Sequence, residues 1–355
     1  MGGSALSVAT QRIDAAAYAK MGDRVIAWLD RLVPGGRATI VPSYRGKPDF
    51  GDMDVLIERE ALQHAGGPDM LVHRAGQDFG SRAHRRNGHV TSVEYRDHDD
   101  RSVQLDLISA PAATFAFELA YLSWNDLGNL IGRIAHRMGF RYGMDGLVYM
   151  LRDGDHAFAT VTVTTNVPRA LDFLGYDPDR FNAGFDTMED IFAYTASSRF
   201  FAPELYLLEN RNHTSRTRDR KRKTYSAFLD WLAAGKAPAA DYRHAWADRD
   251  DSEAVETERM AFVIGARNRF PAFACELDKA LSERRMLREV HERLNGRLVA
   301  QWTGLEDRKL GALMRRLNDK LGSTERKHAW LMAATTAQVQ AFVYDTVDEA
   351  GIPDT

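Results

Sequence analysis

Two aspartates one residue apart, Asp52 and Asp54, open an apolar run that continues through Val55, Leu56 and Ile57. In a strand, residues i and i+2 point to one face, so both carboxylates can grip the same cation. Just upstream lies a turn, Ser43-Tyr44-Arg45-Gly46-Lys47, rich in Gly, hydroxyl and cationic side chains. Such a turn can offer backbone N–H groups, a hydroxyl and a guanidinium to a triphosphate. Asp106 sits mid-run in Gln104-Leu105-Asp106-Leu107-Ile108. A charge there is costly to bury unless it is paired or metal-bound. Alone, the Asp-x-Asp pair reads equally as a solvated strand face, and Asp106 as half of a salt bridge. Together the three carboxylates and the turn are the parts of a two-metal phosphoryl-transfer site. An all-carboxylate shell completed by phosphates and water suits two Mg²⁺ ions, with Mn²⁺ the alternative.

The elements that must position these groups follow from hydrophobic spacing. Apolar residues from Ile13 to Leu32 recur at helical intervals, predicting a helix over 10–32 that Pro34-Gly35-Gly36 ends. Strands are expected at 38–42, 53–58, 69–74, 90–96 and 102–108, then a helix over 115–138. Residues 145–151 and 156–164 read as a hairpin turned at 152–155. Beyond 168 the spacing is helical: 186–197, 221–235, 252–268, 270–294, 306–321 and 323–349, with a linker at 235–252. The expected fold class is α+β, a mixed sheet with flanking helices followed by an all-helical C-terminal half. The expected divisions are 1–168, a connecting helical segment 169–240, and a helical domain 241–355.

Composition narrows the setting. No apolar run approaches the roughly 18–20 residues a bilayer span needs, and the start lacks the basic and apolar regions of a signal peptide. A single Cys275 excludes an internal disulfide and a cysteine-based zinc site. A cytoplasmic protein without membrane partners is expected. The net charge of −3 argues against a uniformly basic coat, yet Arg211, Arg216, Arg218, Arg220, Lys221, Arg222 and Lys223 crowd one stretch against a single acid, Asp219. Those cations could reach phosphates, and Tyr225 could offer a stacking surface to a single strand. The alternative is a solvated helix face. Asn210, Asn212 and His213 read as capping or turn residues.

The segment Ser43 to Asp54 resembles the palm motif of the DNA polymerase β-like nucleotidyltransferase superfamily, family X in particular. That motif runs Gly-Ser, an aromatic, Arg-Arg-Gly, then Gly-Asp-x-Asp. Here Pro42 replaces the first Gly and one residue is missing between Ser43 and Gly46; the Pro removes one N–H from the phosphate cradle. Asp106 matches the third palm aspartate. Tyr121 is closest to the Tyr of the family's sugar-contacting Tyr-Phe-Thr-Gly-Ser segment, and Trp124 stands where the family has Gly. The similarity covers residues 20–150.

The resemblance implies a nucleotidyltransferase palm in which Asp52 and Asp54 bind both metals and Asp106 the catalytic one beside the primer hydroxyl. Ser43 and Arg45 would hold the β- and γ-phosphates, Gly51 would belong to the nucleotide site, and Tyr121 would touch the sugar. Lys47 is a weaker phosphate candidate, with an exposed turn residue as the alternative; Tyr121 could equally be a core aromatic. The helix-hairpin-helix modules that precede the palm in family X find no room here. Around Leu294–Val299, Thr303-Gly304-Leu305 and Leu310–Met314 the chain is similar to the helical tail of bacterial tRNA nucleotidyltransferases and poly(A) polymerases, although Asn-Gly and Leu-Gly steps are also ordinary helix punctuation. The Gly-Gly and Arg-Asp hallmark of that class is absent.

The expected activity is transfer of a nucleoside monophosphate from an NTP to a nucleic-acid 3′ end, with RNA, tRNA in particular, narrowly ahead of DNA. A trimmed family X-like DNA polymerase, a transferase modifying a small-molecule or protein hydroxyl, and a nucleic-acid-binding protein with a silent palm are the other readings.

Overall fold

A computed structural model describes residues 3–154, 156–247 and 251–350. Asp155 of the expected hairpin turn and residues 248–250 of the expected linker lie outside the described residues. The chain divides into two compact units, Met1–Phe273 and Ala274–Thr355.

The first unit opens with β1 (Ile13–Asp14) and α1 (Ala15–Leu32), whose N-cap Asp14 accepts the Ala17 N–H. Then come β2 (Ala38–Ile40), β3 (Asp49–Phe50), β4 (Asp52–Glu58), α2 (Arg59–His64), α3 (Gly67–Phe79), β5 (His84–Asn87), β6 (Val90–Arg96) and β7 (Ser102–Ala110). After α4 (Phe115–Leu122) and α5 (Leu127–Arg137) a second sheet forms from β8 (Phe140–Gly143), β9 (Gly146–Asp153) and β10 (His156–Thr164). Short helices follow: α6 (Val167–Phe173), α7 (Pro178–Ala183), α8 (Met188–Thr195), α9 (His213–Asp219) and α10 (Lys223–Ala233), then the longer α11 (Ser252–Arg269). The expected α+β architecture, sheet first and helices after, is the one the chain adopts. No described helix is long and apolar enough to cross a membrane.

The five-stranded sheet runs β2-β4-β7-β6-β5, and β4 lies parallel to β7 at its centre while the other pairs are antiparallel. One face carries Met53, Val55, Ile57, Val93, Tyr95, Leu105 and Leu107 against Trp28 and Leu29 of α1 and Leu71, Ala75 and Phe79 of α3. Each of the Val, Leu, Ile, Phe and Met side chains among them contributes about 1.5–3 kcal/mol on burial. The opposite face has a smaller apolar patch, Leu56, Ile108 and Ala110 under Phe115 of α4. The rest of that face is polar.

Two expectations fail here. Residues 69–74 lie within α3, where Leu71, Ala75 and Phe79 take the buried stripe at four-residue spacing and Pro68 sits in the first turn. The single helix over 115–138 is two, because Trp124 and Asn125 both turn left-handed, with φ of 62° and 61°.

The helix α12 (Pro271–Arg293) ends in the second unit, which continues with α13 (Gly296–Thr303), α14 (Asp307–Leu321), α15 (Thr324–Ala333) and α16 (Thr336–Ala350). Val299, Leu313, Leu317, Leu331 and Val343 are fully buried in its own core. The helix expected over 323–349 is broken at Ala334-Thr335, where Thr335 and Gln338 exchange side-chain and backbone bonds as a capping box. Asn295 caps α13 and Gly304, left-handed, ends it, so the Asn-Gly and Thr-Gly steps act as helix punctuation.

Candidate active site on the carboxylate face

Asp54 on β4 and Asp106 on β7 are opposite one another in the parallel register, and Asp52 is opposite Gln104. Adjacent strands lie about 4.8 Å apart, so the three carboxylates share one face, as the period-2 reading requires. Among the described residues no hydrogen bond or ion pair reaches the Asp54 carboxylate. Desolvation, then repulsion from Asp52 and Asp106, pushes its pKa up to about 7. Burial also raises Asp106, against hydrogen bonds from Ser92 and Gln104.

A neighbour on the same face is treated differently. Glu94, opposite Gln104 on β6, is fully buried. Burial alone would raise its pKa, but bonds from the Arg82 side chain (2.8 Å), Ser102 Oγ (2.6 Å) and the Arg82 N–H (2.8 Å) hold it at about 2. The fold therefore pairs one buried carboxylate fully and leaves Asp54 bare. Three hard oxygen donors carrying surplus negative charge fit a divalent cation such as Mg²⁺ by donor chemistry. Among the described residues, however, no three His, Cys, Asp or Glu side chains are drawn together tightly enough to enclose an ion. Asp106 leans on Gln104, whose Nε2 lies 3.0 and 2.8 Å from its two oxygens, and Asp52 Oδ2 accepts the Gly3 N–H at 3.1 Å.

That last contact belongs to a segment sequence reasoning missed. Residues 3–11 lie across the polar face: Ala5 N–H donates to Gln104 Oε1 at 2.8 Å and Gln11 N–H to the Ser102 carbonyl. Gly3 has φ 82°, and a Cβ there would meet the Gly51 carbonyl at 2.4 Å. Gly51 is thus the floor under the strap as well as the link from β3 to β4. Tyr18 of α1 is a second missed neighbour. It stacks on Phe50 at 3.8 Å, and its hydroxyl is pushed up by burial and by the charges of Asp54 and Asp52.

The turn 43–47 lies beside these groups. Lys47, which could have been an exposed turn residue, is half-buried. Its Nζ donates to Ser43 Oγ at 3.1 Å and lies 4.5 Å above the Phe50 ring. Desolvation lowers its pKa, against the charges of Asp52 and Asp54. Arg45 is exposed and tied to Asp186 and to the Ala183 carbonyl (3.0 Å). Ser43 Oγ donates to Asn125 Oδ1 at 3.3 Å, and Trp124 N–H to the Pro42 carbonyl at 2.8 Å. The left-handed pair therefore holds the turn in place. Tyr121, half-buried, packs 5.9 Å from Tyr142 and lines a cavity of about 630 Å³ together with Asn129, Arg133 and His136.

The basic run folds as α9, a break at 220–222, and α10 rather than one helix start. Tyr225 is corrected: it is fully buried and donates to the Tyr206 carbonyl at 2.6 Å, so no face is free for a base. Arg211 is also largely inside, 3.4 Å from the buried Asp219, and Arg216 bonds the Arg211 carbonyl. Arg222 pairs with Asp126. Arg218, Arg220, Lys221 and Lys223 are exposed. Asn212 caps α9, as capping chemistry suggested.

Set against known proteins, the chain matches no protein-family model and no curated protein sequence.

Proposed function

We propose that the protein is a metal-dependent nucleotidyltransferase that moves a nucleoside monophosphate from an NTP to the 3′ end of a nucleic acid, with RNA favoured over DNA. The observation that carries this reading is Asp54 facing Asp106 across parallel strands, bare of protein donors, with Asp52 one step along the same face. Asp52, Asp54 and Asp106 would hold Mg²⁺, which when bound neutralises phosphate charge and makes the attacking hydroxyl more acidic. Lys47 Nζ, which donates to Ser43 Oγ and feels the charges of Asp52 and Asp54, would be the phosphate donor, since a desolvated ammonium suits a phosphate oxygen. Gln104 orients Asp106, and Tyr18 keeps a neutral hydroxyl next to the pair. Catalysis in such a site is mostly positioning and charge neutralisation.

The test is a transfer assay with labelled NTPs and dNTPs against tRNA, unstructured RNA and primed DNA in Mg²⁺ and Mn²⁺. Label should pass to an RNA 3′ end, and Asp52→Ala or Asp54→Ala should abolish it. Equal activity in wild type and both variants would remove the carboxylates from the mechanism. Tight nucleic-acid binding with no transfer would favour a silent palm.

A further inference from the structure

A second charged site lies away from the three carboxylates. Arg133 and Arg137, one turn apart on α5, project with Arg211 and Arg218 into a pocket of about 260 Å³ that Asn212 and Ser215 also line. Arg133 and Arg137 are each only 8% exposed. Their guanidiniums are incompletely satisfied. Among the described residues Arg133 Nε, Arg137 Nε and Nη2, and Arg211 Nε have no hydrogen-bond partner, and neither do the acceptors Asp219 Oδ2 and Glu258 Oε2 beside them. Buried N–H groups are ordinarily paired.

The local charge does not balance. Asp219, fully buried, lies 3.2 Å from Arg133, 3.4 Å from Arg211 and 3.6 Å from Arg218. Glu258 is 3.7 Å from Arg137, and also faces His244 at 3.3 Å. Among the described residues, the four guanidiniums that line the pocket face these two carboxylates, a surplus of two positive charges. His136 on the same wall adds little, because burial lowers its pKa. Desolvation lowers Arg137 and Arg211 as well, so both gain from an incoming anion.

We propose that this pocket binds a terminal phosphate, a phosphate monoester dianion. A monoester carries about −1.5 to −2 charges at neutral pH and three acceptor oxygens, which matches the surplus charge of the guanidiniums that line the pocket. A through-running phosphodiester carries one charge and continues on both sides, so it suits a walled pocket poorly. The source is either the 5′ end of an oligonucleotide or free phosphate. The assignment does not depend on the transfer reaction, because binding is read without turnover.

The experiment uses the full chain with no NTP. Affinity is measured for one RNA oligonucleotide bearing a 5′-phosphate or a 5′-hydroxyl, and inorganic phosphate alone is titrated by calorimetry. The expected result is about tenfold tighter binding of the phosphorylated end, a margin typical of charge-assisted contacts. Arg137→Gln should erase that difference. Arg218→Gln, at an exposed position, should reduce it, whereas Lys221→Gln on the exposed run should weaken both oligonucleotides equally. Saturable binding of inorganic phosphate, lost in Arg218→Gln, with no preference for the phosphorylated end, would support the pocket with free phosphate as its ligand. No preference and no binding of phosphate would overturn the proposal.

Discussion

Gln104 Nε2 donates to both carboxylate oxygens of Asp106, at 3.0 and 2.8 Å, while Gln104 Oε1 accepts the Ala5 N–H at 2.8 Å. One buried amide thus fixes a candidate metal ligand and anchors the strap that crosses the site. Gln104→Leu would leave Asp106 held by Ser92 alone and the Ala5 N–H without a partner. Outer partners of this kind are worth about 10–100-fold. The expected effect is a fall of that size in kcat with KM for the nucleotide nearly unchanged, read by steady-state kinetics. Gln104→Glu should be worse, since it places another carboxylate against Asp106.

The bare Asp54 makes stability depend on pH. Its folded pKa, about 7, lies above the ordinary carboxylate value of 3.8, so the folded state holds the proton more tightly than the unfolded one. Stability is then greatest below pH 4 as far as this group is concerned, falls from about pH 4 to 7, and levels off above. The loss amounts to about 4 kcal/mol at most, at 1.36 kcal/mol per pKa unit. Glu118 adds to the same window, since burial raises it to about 7, and His89 lies 3.3 Å from it. Melting curves in chelator across pH 4.5–8.5 should show the decline. Asp54→Asn should flatten much of it and raise Tm at pH 8, Glu118→Gln should reduce it further and leave the part due to the raised Asp106, and Mg²⁺ should raise Tm of wild type at pH 8 but not of Asp54→Asn.

The basic run separates into two populations with opposite readouts. Arg220, Lys221 and Lys223 are exposed, so replacing them by Ala should leave the fold intact. RNA affinity should fall, and the slope of log K against log salt should become shallower by at most about 2, at roughly 0.7 per single-strand phosphate contact. Arg211→Ala should act on the fold. It withdraws a partner from the buried Asp219 and should cost about 3 kcal/mol in urea unfolding.

What could be read from the chain and what could not divides along sequence distance. The β4 carboxylates and Asp106 declare themselves through a local period of two, and their strands form where that period falls. The identity of α3 was also present locally, in Leu71, Ala75 and Phe79, but the apolar Met70-Leu71-Val72 reads as a strand when taken alone. Tyr225 misleads for a related reason. Its neighbours in sequence are cations, while its neighbours on the helix, Phe228 and Trp231, are core. The strap's bonds from Gly3 to Asp52 and from Ala5 to Gln104 join residues 49 and 99 positions apart, and no short-range pattern announces them. The placement of Arg45 is of the same kind, because Asp186 and the Ala183 carbonyl claim it from far along the chain.

Trp124 tests whether backbone strain or packing governs the joint between α4 and α5. Its φ of 62° costs about 1–2 kcal/mol for a residue with a Cβ, and glycine would relieve that. Its ring, however, lies edge-on to Phe185 at 5.4 Å and to Phe181 at 6.5 Å, and it crowds Gly184, where a Cβ would come within 2.7 Å of the indole. Truncating a packed aromatic costs about 3–5 kcal/mol. Packing should win, so Trp124→Gly should destabilise by about 2 kcal/mol in denaturant unfolding. Asn125→Gly removes strain and no ring, and should be neutral or stabilising by up to about 1 kcal/mol, while raising KM for the nucleotide as Ser43 loses its acceptor. Gly184→Ala meets both obstacles, a φ of 76° and the Trp124 contact, and should destabilise by more than 1 kcal/mol. If Trp124→Gly proved the more stable protein, strain would be the larger quantity at this joint, and the turn that carries Ser43 and Lys47 would be held by the backbone alone.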